Sequence, residues 1–82
     1  MKSDEIDLAW TGNMSFSTSV NGHSLVLDAD AEVGGENKGP RPKPLMMVAL
    51  AGCTAMDVIS ILKKMKVEVE SFHVKVSGDL TE

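Results

Sequence analysis

Eighty-two residues with a formal net charge of −4, 43% of them hydrophobic and 24% charged, describe one small globular domain rather than a disordered chain. Net acidity, a single arginine (Arg41) and only three aromatics (Trp10, Phe16 and Phe72) exclude a nucleic-acid module, which needs a basic stripe and stacking surfaces. Cys53 is the only cysteine, so no disulfide within the chain can supplement the core, and a reducing, cytoplasmic setting is expected.

The N-terminus, MKSDEIDLAW, is acidic and has no apolar signal core; Asp4, Glu5 and Asp7 read as a fraying acidic end. Ile6, Leu8 and Trp10 then alternate with smaller or polar residues, the period-two pattern of a half-buried strand. Gly12-Asn13 reads as a two-residue turn, after which Met14, Phe16, Thr18 and Val20 take up the alternation. Asn21-Gly22 is a strong hairpin signal, because both residues accept the positive φ of a type I′ turn. A third strand carries Leu25, Leu27 and Ala29 on one face and Ser24, Val26 and Asp28 on the other. Strand–GN–strand–NG–strand predicts an antiparallel meander.

From Asp30 to Lys43 glycine and proline dominate, with prolines at 40, 42 and 44, so neither a helix interior nor a central strand can form there. An ordered extended loop is predicted, with Pro44 in the first turn of a helix that runs to Lys66. The first half of that helix, LMMVALAGC, is apolar on every side and predicts burial all round. Its apolar run from Leu45 to Cys53 is broken by Thr54, Asp57 and Ser60, short of the ~20 residues of a membrane span. In the second half Met56, Ile59, Leu62 and Met65 face inward, and Lys63, Lys64 and Lys66 suit the negative end of the helix dipole. Phe72, Val74 and Val76 predict a fourth strand ended by Gly78-Asp79, with a bulge or turn near Glu70-Ser71 where the apolar phase slips.

These elements make an α+β domain: a three-stranded antiparallel meander, a long buried central helix carrying the cysteine, and a further strand. One amphipathic sheet face cannot surround a helix that is apolar on all sides. A chain this short also gains from burial about what it loses in ordering. Both points predict a homodimer or a higher homo-oligomer.

Cys53 is the one candidate for covalent chemistry. Met46, Ala49, Leu50, Met56 and Asp57 share its helix face at spacings of three, four and seven. Met46, Leu50 and Met56 are candidate lining residues for an apolar substrate beside the thiol. The competing reading is structural, since a free cysteine commonly packs as a small hydrophobe. A reactive thiol needs a cation or a helix N-terminus close by. Lys43 is about 15 Å away along the axis, and Asp57 opposes a thiolate. The activating cation must then come from a loop that folds back, such as the one bearing Arg41, or from another subunit. His23 and His73 have no ligand spacing to each other or to Cys53, and Gly34-Gly35 lacks the strand-to-helix setting of a phosphate loop, so no metal and no cofactor are expected.

The stretch GPRPKPLMMVALAGCTAMDVISILKKM resembles the cysteine-helix signature of the OsmC/Ohr family of organic hydroperoxide reductases, nearest its OsmC-like branch. The residues that carry the likeness are Gly39, Pro40 and Pro42, then Gly52, Cys53, Thr54, Asp57 and Val58. The order of strands and helix matches as well, so the resemblance spans nearly the whole chain. It implies a peroxidatic cysteine at Cys53 that attacks the peroxide O–O bond and becomes a sulfenic acid, in a stress-response enzyme supplied by a dithiol reductant. It also implies a dimer that buries its cysteine helices between subunits, so that Arg41 of one copy can serve the thiol of the other.

Three family features are missing: a second cysteine, an arginine from an N-terminal loop and the glutamate that holds it. The resolving cysteine has no counterpart, and where the well-studied enzymes place a glutamate before the helix, this chain has Lys43, Pro44 and Leu45, with no arginine before Arg41. The expectation is that residues 1–82 form a single OsmC-like domain, the N-terminal part of a longer family domain. The alternative function is a non-catalytic dimeric domain that scaffolds or binds a small apolar ligand. Neither nucleic acid nor membrane is an expected partner.

Overall fold

The computed structural model describes residues 5–78. Asp4 of the acidic end and Asp79 of the expected strand terminus lie outside the described residues. The chain divides into two compact units between Pro42 and Lys43.

The first unit is the expected meander, with strands β1 (Ala9–Gly12), β2 (Ser15–Val20) and β3 (His23–Leu27) in the order β1-β2-β3, antiparallel throughout. Asn21 (φ 51°) and Gly22 (φ 82°) take the left-handed conformations that a type I′ turn demands. The register pairs Trp10 with Phe16, Phe16 with Leu27, Thr18 with Leu25 and Val20 with His23. Residues directly opposite share a face, so Trp10, Phe16, Leu25 and Leu27 gather on one side of the sheet, as the alternation predicts.

The first turn sits one residue later than expected. Asn13-Met14 form the loop between paired Gly12 and Ser15, and a bulge falls between Trp10 and Gly12. Asn13 (φ 53°) and Gly12 (φ 110°) supply the positive φ values, and the Trp10 indole N–H donates to the Asn13 carbonyl at 2.7 Å. The third strand also ends early, at Leu27 rather than Ala29. Extending the Phe16↔Leu27 register would oppose Ala29 to Met14, which is already in the turn. The backbone N–H of Asp28 instead donates to the Pro40 carbonyl at 3.3 Å.

The segment expected as an extended loop is compact. It contains a single 3₁₀ turn, Ala31–Val33, capped by the Asp30 carboxylate and closed by Gly34 at φ 93°. Gly35 and Gly39 bring the loop against the end of β3, where an added Cβ would lie 2.0 Å from the Ala29 carbonyl oxygen and 2.1 Å from that of Val26.

The second unit is built on helix α1, which runs Pro42–Lys64, two residues earlier at both ends than predicted. Pro42 and Pro44 both fit inside the first turn, where the backbone N–H they lack would have had no intrahelical partner. The helix ends in a Schellman arrangement: Lys66 N–H donates to Lys63 O and Val67 N–H to Leu62 O, both at 3.0 Å. Lys66 occupies the left-handed position (φ 60°) that favours glycine. Replacing Lys66 by glycine therefore stabilises the protein by about 0.5–1 kcal/mol, read as a raised midpoint in chemical unfolding.

Among the described residues no part of α1 is buried, and Met46, Val48, Leu50, Met56 and Ile61 are exposed. The cover expected for a helix apolar on every side is a second layer from another copy. The reading of α1 as too short for a membrane span is corrected: by length and composition alone it would suffice to cross one, because an 18-residue stretch of it has a mean hydropathy of 2.1.

The fourth strand over Phe72–Val76 is not formed, and these residues are exposed. A strand is defined by its hydrogen-bonded neighbour, and α1 is the only regular element among the described residues of this unit. The chain does bend at Glu70, where the apolar phase slips.

Candidate functional site

Cys53 lies eleven residues beyond the first residue of α1, about 16 Å along the axis from the positive end of the helix dipole. It is a free thiol, and in the single chain it is exposed. The helical repeat places Met46 and Leu50 before it and Met56 after it on the same face. All three are open, with 71%, 63% and 75% of their surfaces exposed. Three of the predicted site residues are thus brought together with the thiol on one helix face. Met56 also lines a shallow groove with Ala55, Ile59, Ser60 and Lys63, which continues the apolar strip toward the helix C-terminus. Asp57 is the carboxylate one turn beyond Cys53.

Arg41 belongs to the other unit, where its own loop holds it. Its Nη1 donates to the Asn37 side-chain oxygen at 2.5 Å and to the Gly39 carbonyl at 3.2 Å, and its Nη2 lies 3.7 Å from an Asp30 carboxylate oxygen. The Arg41 side chain as a whole is about a third exposed, with its guanidinium oriented by these contacts.

Sequence reasoning missed Asp28, which it placed on the polar face of β3. The residue is 3% exposed, and its two carboxylate oxygens accept from the backbone N–H groups of Ala29 (2.7 Å), Glu36 (3.2 Å) and Lys38 (3.1 Å). A readable signal was present: an aspartate directly before a glycine-rich loop is prone to accept backbone amides. Burial alone would raise the Asp28 pKa, but the three amides and the Lys38 ammonium outweigh it and hold the carboxyl below its ordinary value.

A carboxylate with a lowered pKa in the folded state favours folding above the unfolded value of about 4, and loses that contribution as pH falls through the lowered one. The Glu36 and Lys38 amides are accordingly expected to keep their exchange protection at pH 5. They lose it as pH falls through the lowered Asp28 value, below the ordinary carboxylate range, and before the β2–β3 amides do, as amide exchange followed by NMR would show.

Comparison with known proteins locates the chain. Residues 35–82, which include the Asp28-bound loop from Gly35 onward and all of α1, match the family described as OsmC-like protein. Over 74 residues the chain is 31% identical to Protein YhfA of Escherichia coli strain K12, of Escherichia coli O157:H7 and of Shigella flexneri. The match covers 89% of this chain and 52% of each relative, so the chain spans about half the length of the relatives it matches. With more than half of its residues matched by the family and Cys53 on the matched helix, the chain belongs to the OsmC-like protein family.

Proposed function

We propose that this chain reduces organic hydroperoxides through Cys53, as a homodimer or larger homo-oligomer. The observation that carries the reading is the exposed thiol in the middle of an exposed apolar helix face, with Met46, Leu50 and Met56 around it to receive a hydrocarbon tail. The Cys53 thiolate attacks the terminal peroxide oxygen and the O–O bond breaks. Sulfur gives up two electrons to form a sulfenic acid, and the departing alkoxide takes a proton to become the alcohol. A dithiol reductant then displaces water from the sulfenic acid as a mixed disulfide. Its second thiol releases Cys53 and leaves the reductant oxidised. Arg41 supplies the cation that favours the thiolate, from the loop of a neighbouring copy. Because Cys53 is far from the helix N-terminus and Asp57 sits one turn away, a cation from elsewhere is what the mechanism requires.

One observation favours a second reading, a non-catalytic dimeric domain that binds a small apolar ligand on the same face. Among the described residues, no hydrogen bond or ion pair is made by Cys53. Consumption of cumene hydroperoxide with dithiothreitol as reductant, wild type against Cys53→Ser, decides between them. Equal rates leave only the binding reading.

A further inference from the structure

We infer that Asp28 is a positioning residue for Arg41: its buried carboxylate gathers the loop whose oxygens hold the guanidinium. The inference rests on the proposed role of Arg41 for its functional meaning, while its geometry is independent of that role. Asp28 Oδ2 accepts from the N–H groups of both Glu36 and Lys38. Asn37, the residue between them, is thereby fixed on both sides, and its own N–H donates to the Ala29 carbonyl at 3.3 Å. Asn37 is the residue whose side-chain oxygen accepts from Arg41, and it does so from a left-handed backbone (φ 55°).

Gly39 provides the second acceptor for Arg41, and its seat against the Val26 carbonyl is reached only when the loop is drawn in this far. The backbone of Asp28 closes the same loop by donating to the Pro40 carbonyl, one residue before Arg41. Three amides divided between two oxygens require a carboxylate. An asparagine side chain presents one acceptor oxygen and, in place of the other, an NH₂ that faces a donor. The loop thus converts one buried carboxylate at the end of β3 into a fixed direction for a guanidinium thirteen residues later.

Arg41 is the only arginine, so phenylglyoxal modification followed by intact mass reports on that guanidinium alone. In Asp28→Asn the modification rate is expected to rise at least ~10-fold, the scale of losing a hydrogen bond to a buried acceptor, while the β2–β3 amides keep their exchange protection. Asn37→Gly, which keeps the positive φ and removes the acceptor, is expected to give a similar rise. The double variant is expected to be no faster than the faster single one, because the two residues act in series.

An unchanged rate in Asp28→Asn overturns the inference. So does a rise accompanied by equal loss of protection in the hairpin, or a double variant whose effects multiply. Should Asp28→Asn not fold, Asp28→Ser, which keeps one accepting oxygen, is read by the same criteria. Activity of Arg41→Ala is the separate arm: unchanged hydroperoxide consumption there overturns the proposed role of Arg41 and leaves the modification result standing.

Discussion

Cys53→Ser is expected to lower kcat/KM for cumene hydroperoxide by at least about 10³-fold, a loss of about 4 kcal/mol of transition-state stabilisation. The reaction needs a polarisable anion to enter the O–O bond, and a serine hydroxyl remains protonated and a poor nucleophile at neutral pH. Folding is not expected to suffer, because Cys53 is exposed and removing its sulfur leaves no cavity. Unchanged far-UV circular dichroism in the variant therefore separates lost chemistry from lost structure. The same assay carried out with smaller and larger hydroperoxides tests the apolar face: cumene hydroperoxide should be preferred to hydrogen peroxide, which has no tail to bury.

The second large effect concerns assembly. The chain is expected to sediment at twice its own mass or more at micromolar concentration. Covering Met46, Leu50 and Met56, all more than 60% exposed, contributes about 1.5–3 kcal/mol each, enough to offset much of the cost of association. Leu50→Asp removes one of these contributions and sets an unpaired carboxylate in the contact, so the dimer should weaken by at least about 100-fold. A cooperatively folded monomer across the whole concentration range would show that the helix needs no cover. Recovery of the protein only from washed membranes would show that lipid supplies it, an outcome the length and hydropathy of α1 make worth measuring.

What was legible in the sequence was local. Asn21-Gly22 dictates its turn by its own dihedral preferences, and the alternation through Phe16, Thr18 and Val20 fixes which side chains share a face. Pro44 marked the start of α1 to within two residues, while Pro42, read as part of the loop, is its first residue. What was not legible depends on partners distant in the chain. Whether Phe72–Val76 is a strand depends on a neighbour for its backbone, and whether Leu50 is buried depends on a surface to bury it against. Asp28 fell between these cases. Its alternation placed it on a strand face, but its three amide donors come from one, eight and ten residues further on, beyond any local period. The candidate site divided in the same way. The cluster around Cys53 followed from helical spacing alone, whereas the fastening of Arg41 required the folded loop.

The tethered indole of Trp10 has a practical consequence. It is the sole tryptophan, 67% exposed, held by its N–H to Asn13 and placed on the side of the sheet that carries Phe16 and Leu27. Its emission colour depends on whether water or an apolar surface lies against the ring. The protein thus carries its own optical gauge of that sheet face. Any change in what lies against that face can be followed there without a label, and the signal belongs to one residue.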